Sequence, residues 1–147
     1  MPGFPPGPLA PDLQPPLRLR DYRMDVCFSF LIQVGGLRLL DWRDVSPQGA
    51  PPAEALFVSP MELETYYRDL LAAVRPRLVI PVHWDNLFRP LHKPLRPFYR
   101  PPRLALPPLQ RIDLNQFDRK IARIAPQARV LVPELLDSYN FRDYFSI

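Results

Sequence analysis

Residues 78–90 read LVIPVHWDNLFRP. The apolar run is short, contains no charge and meets turn-forming residues at its end, so it reads as an interior β-strand. The run delivers His83, one of only two histidines in the chain, to the point where the strand stops. Backbone at a strand end holds a side chain firmly, and the carboxyl ends of strands are where α/β sheets place ligands. Two readings follow. His83 is a hydrogen-bonded histidine at a loop start, or it is a neutral imidazole held in one orientation for a metal. Asp85, two residues on, is placed to accept a hydrogen bond or to join the ligands. Spacing alone favours the hydrogen-bonded histidine, because no local pair of ligands accompanies it.

Upstream of that strand, residues 59–62 read Ser-Pro-Met-Glu. This predicts a helix start with an N-cap serine, proline at the first helical position and glutamate at the third. Leu63, Tyr66, Tyr67, Leu70, Leu71 and Val74 recur at helical spacing, and Pro76 closes the helix by restricting Arg75. Residues 54–58, EALFV, form a short strand before it. Further back, residues 26–34 alternate Val26, Phe28, Phe30, Ile32 and Val34 with Cys27, Ser29, Leu31 and Gln33. That is the period of a half-buried strand. Gly35-Gly36 supplies a two-residue hairpin turn, and residues 37–42, LRLLDW, return as the partner. Asp41 stands at the end of that return strand, where a carboxylate can bind a metal or simply begin a solvated loop.

Downstream, Asp113 with Gln116 predicts a capped second helix carrying Leu114, Phe117, Ile121 and Ile124 on one face. Residues 128–132, ARVLV, read as a last strand, followed by an aromatic tail expected to pack down. Hairpin, strand, helix, strand, helix, strand is an α/β order. It predicts a mixed sheet with helices on one face and the other face left for something else.

Composition bounds the partners. The 147 residues suit one domain core. Prolines number 22, roughly three times the usual share, concentrated in residues 2–16 and 90–108. Residues 1–20 are therefore expected to be an irregular, proline-rich arm, leaving 21–147 as the folded domain. The formal charge of +4 sits largely in the block from Arg89 to Arg103, which reads first as a solvated basic loop, with His92 inside it. Phe98 and Tyr99 read as anchors of that loop rather than as base-stacking residues, and no nucleic-acid partner is expected. A single cysteine, Cys27, excludes a disulfide framework or a cysteine zinc knuckle. No stretch has the roughly 20 apolar residues of a membrane span, and the first residues lack a secretory layout. A soluble cytoplasmic protein is expected. No GxGxxG, GxxxxGK[ST] or GxSxG pattern occurs.

Three segments together, FSFLIQVGGLRLLDW (28–42), EALFVSP (54–60) and YYRDLLAAVRPRLVIPVHWDNLFRPL (66–91), resemble the carboxyl-terminal half of metallo-β-lactamase-fold hydrolases. The similarity is most specific at Pro81-Val82-His83-Trp84-Asp85, which matches the Pro-x-His-Trp-Asp motif of one branch of metal-dependent hydrolases. The resemblance covers residues 21–147. It implies half of an αββα sandwich with a metal centre where the two sheets meet. It makes His83 the last histidine ligand of the second metal and puts Asp41 near the bridging carboxylate. It lays residues 89–103 over the site mouth, with Trp84, Asp85, Arg89, His92 and Tyr99 as candidates to touch substrate.

The same resemblance shows what is absent. The HxHxDH motif of the family's amino-terminal half does not occur here, nor does the middle histidine ligand, and the usual Gly-Asp turn is Leu40-Asp41-Trp42. The family's two zinc ions activate a water for hydrolysis. One histidine and one aspartate fall short of the three protein ligands of a catalytic zinc. The expectation is a hydrolase half, acting on a small-molecule ester, amide or phosphodiester. It would be inactive alone and completed by an amino-terminal half or by a homo-oligomer. The alternative is a non-catalytic binding module whose basic loop 89–108 holds an anionic or protein partner.

Overall fold

A computed structural model describes residues 28–43, 46–86, 90, 92–98 and 111–145. The arm 1–20, Val26, Cys27, Arg89 and Tyr99 lie outside the described residues.

The fold is α/β, with a mixed five-stranded sheet and two helices. Strands β1 (Phe30–Val34), β2 (Leu37–Asp41), β3 (Ala55–Val58), β4 (Leu78–Pro81) and β5 (Arg129–Val130) lie side by side in chain order. β1 and β2 form the expected antiparallel hairpin, with Val34 opposite Leu37 and Phe30 opposite Asp41. Gly35 and Gly36 both take positive φ, 56° and 81°, the conformation a primed two-residue turn demands and that glycine adopts without a Cβ penalty. β2, β3, β4 and β5 are parallel. Helix α1 (Glu64–Val74) joins β3 to β4, and α2 (Leu114–Ile124) precedes β5. Because the parallel strands advance in one direction across the sheet, crossovers of one hand place both helices on the same face.

Period two divides the strands between two apolar layers. Leu40, Leu56, Val58 and Val79 meet Tyr67, Leu70, Leu71 and Val74 of α1 and Phe117 and Ile121 of α2. Tyr67 and Phe117 pack edge to face, ring centroids 5.7 Å apart, a geometry that aromatic quadrupoles favour. On the opposite face Ala55, Leu78 and Ile80 lie with Leu37, Leu39, Phe57 and Leu131 against Phe141, Tyr144 and Phe145 of a carboxyl-terminal 3₁₀ turn. The aromatic tail therefore packs down and covers part of the face expected to be open. β3 and β4 are buried on both sides, which is why they are apolar throughout.

Two local expectations give way. Residues 60–62 do not begin the first helix; α1 starts at Glu64, with Leu63 as its N-cap and no side-chain cap. The buried phenol of Tyr67 takes over that junction. Its hydroxyl donates to the Ser59 carbonyl at 2.7 Å and accepts from the Glu62 N–H at 3.2 Å. The Ser59 hydroxyl accepts from the Met61 N–H at 3.3 Å, closing a turn instead of a helix. A local capping pattern yields to a buried polar atom that must find a partner. β1 is also not half-buried. All five of its residues are exposed, because among the described residues it pairs only with β2 and lies outside the buried parts of both apolar layers.

Elsewhere the local signals hold. The Asp113 side chain accepts from the Gln116 N–H at 3.0 Å and caps α2. Arg75 leaves α1 in the left-handed region, φ 52°, since Pro76 disfavours a right-handed helical conformation at the residue before it.

Candidate functional site at the carboxyl edge of the sheet

Parallel pairing of β2, β3 and β4 brings their carboxyl ends to one edge, with Asp41 opposite Phe57 and Phe57 opposite Ile80. Asp41 closes β2. β4 ends at Pro81, and the Val82 N–H still bonds to the Val58 carbonyl at 3.0 Å. His83 therefore stands two residues beyond its strand, not on its last residue. There its backbone turns into the left-handed region, φ 57°. That region is sparse for residues with a side chain, although histidine is among those enriched in it.

The two sequence candidates are brought together through a residue that sequence reasoning missed. Arg43 clasps Asp41 with Nε to Oδ1 at 2.8 Å and Nη2 to Oδ2 at 2.9 Å. Its Nη1 meets Nε2 of His83. A guanidinium only donates, so Nε2 is the acceptor and the imidazole is neutral with its proton on Nδ1. Desolvation by partial burial holds the His83 pKa below its ordinary value, with the Arg43 charge adding to that effect and Asp41 and Asp85 opposing it. The Arg43 N–H in turn donates to the Ser29 hydroxyl at 2.8 Å, which ties the cluster to the hairpin. One sequence signal marked Arg43: in extended chain, residues two apart share a side, so an arginine at 43 stands beside a carboxylate at 41.

The other candidates separate. Trp84 is buried, and its carbonyl accepts from the Phe98 N–H at 2.7 Å. Asp85 is half-buried and bridges Pro97, and the Asn86 N–H reaches the Arg96 carbonyl at 3.1 Å. Residues 96–98 thus run antiparallel to residues 84–86, beside the segment that follows His83. His92 is exposed in a turn closed by the Lys93 N–H to the Pro90 carbonyl at 3.0 Å. A separate open cleft of about 300 Å³ lies between Pro60 and the start of α2, with Arg111, Asp113, Gln116 and Lys120 in its wall; it contains neither Asp41 nor His83.

A carboxylate and a neutral imidazole are both zinc donors. Among the described residues, however, no group of three or more His, Cys, Asp or Glu side chains converges, and the guanidinium of Arg43 occupies the interval between the two donors. That set does not fit a catalytic zinc. No described helix is long and apolar enough to cross a membrane. Protein-family models, curated proteins and solved structures contain no match to the chain.

Proposed function

We propose that this domain is the carboxyl-terminal half of a metallo-β-lactamase-like hydrolase, contributing Asp41 and His83 to a metal site whose remaining ligands come from a further polypeptide segment. The observation that carries this reading is the convergence of Asp41 and His83, 42 positions apart in the chain, at the carboxyl edge of parallel strands. By itself the domain is not a competent hydrolase of esters, amides or phosphodiesters. The test is zinc titration against a chromophoric chelator, with the full chain and its His83→Ala and Asp41→Asn variants. Weak zinc binding that both substitutions abolish is expected, with no ester turnover. Zinc binding unchanged by either substitution overturns the reading.

One observation favours a second reading, a non-catalytic module on the same scaffold. Arg43 already satisfies both Asp41 and the imidazole lone pair, so the cluster is closed as a hydrogen-bonded unit. On that reading zinc does not bind, and the three residues serve only to pin the hairpin to the β4 edge.

A further inference from the structure

β1 ends the sheet with apolar side chains that no other described element covers. Phe28, Phe30, Leu31, Ile32 and Val34 are 65%, 55%, 43%, 54% and 59% exposed. Natural edge strands are normally blunted by charge, proline or a bulge. Residues 28–34, FSFLIQV, contain neither charge nor proline.

We propose that β1 is the seam of a two-fold homodimer, pairing antiparallel with β1 of a second copy of this chain.

The hairpin register dictates how. The Gly35-Gly36 turn makes Val34 and Leu37 the hydrogen-bonded pair that closes the hairpin, and bonded and non-bonded pairs alternate from there. Val34, Ile32 and Phe30 therefore spend their backbone groups on β2. Leu31 and Gln33 present theirs outward, and the alternation carries on to Ser29. A two-fold axis at Leu31 sets Leu31 opposite Leu31 and Ser29 opposite Gln33, so each outward N–H and C=O finds a partner. Between those pairs, Phe30 falls opposite Ile32 and Phe28 opposite Val34 of the second copy. These aromatic and β-branched combinations stabilise antiparallel sheets.

Charge and area both point to a second copy. With no ionised group in the segment, self-pairing opposes no like charges, and a partner selected by charge has nothing to read there. Val34 and Ile32 are directly cross-strand from Leu37 and Leu39, so the stripe Phe28–Phe30–Ile32–Val34 lies on the same face of the sheet as that layer. At roughly 150–250 Å² per large side chain, the exposed fractions amount to on the order of 500 Å² per copy. Covering all of it would bury about 1,000 Å² across the pair, the lower bound for a specific interface.

Sedimentation velocity of the full chain at micromolar concentration tests this, together with Leu31→Lys and Leu31→Glu. Leu31 sits on the axis, outside both apolar layers, so either substitution sets two like charges face to face. The wild type is expected at twice the chain mass, each variant alone at the chain mass, and an equimolar mixture of the two variants again at twice it. A monomeric wild type, as when the edge is taken by another part of the chain or reserved for a foreign strand, overturns the proposal. So does concentration-dependent growth beyond a dimer, a dimeric single variant, or a mixture that stays monomeric.

Discussion

The guanidinium of Arg43 donates to Nε2 of His83, the ring nitrogen whose lone pair that histidine would offer a metal, while the same group holds both carboxylate oxygens of Asp41. A cation is thus built into the place where two metal donors meet. Removing Arg43 frees both. In the hydrolase-half reading, Arg43→Ala tightens zinc binding on the order of tenfold, since one charged hydrogen-bond network need no longer be broken. The gain disappears when His83→Ala is added. Chelator competition on the single and double variants measures it.

Arg38 and Glu54 connect the hairpin to β3. The Arg38 N–H reaches Glu54 Oε2 at 2.7 Å, and its guanidinium reaches Oε1 at 3.0 Å. The side-chain hydrogen bond from Arg38 holds the Glu54 pKa below the ordinary carboxylate value. A carboxyl depressed on folding contributes stability above its unfolded pKa and loses it as pH falls through the folded one. From about pH 5 to about pH 3, the melting temperature of the wild type is expected to fall more steeply than that of Glu54→Gln. Thermal scans across that range, followed by circular dichroism, compare the two slopes.

Tyr67 replaces the cap that Ser59 fails to supply. Tyr67→Phe keeps the ring against Phe117 but strips the Ser59 carbonyl and Glu62 N–H of their partner. A loss of about 1–2 kcal/mol is expected in urea unfolding, with the slope of the transition unchanged.

Arg75 ends α1 in left-handed conformation, φ 52°, ψ 51°. Glycine takes that conformation without steric penalty and is the usual residue there. Arg75→Gly is expected to stabilise the domain by about 1 kcal/mol, read as a raised urea midpoint.

Short-range features were legible because neighbouring residues suffice to make them. Gly35-Gly36 states its own turn, Asp113 caps α2 through Gln116, and Pro76 stops α1. The placement of Asp41 at a strand end also followed from the apolar run before it, whereas His83 falls two residues past the end of its strand. Ser59 misled because its capping pattern is local, whereas the hydroxyl that won arrives from Tyr67, a turn into the helix. Arg43 went unread because its meaning depends on His83, 40 positions away.

Alternation and turn chemistry in the chain specify the hairpin, the helices and which residues alternate across each strand, since those depend on contacts within a few residues. They do not state what covers a face. Strand order put β1 at an edge and left its period-two pattern exposed, and it carried the aromatic tail onto the second layer. Parallel pairing gathered Asp41, Arg43 and His83 at one edge. Those outcomes depend on which strands hydrogen-bond to one another, a relation between distant segments that no window of sequence contains.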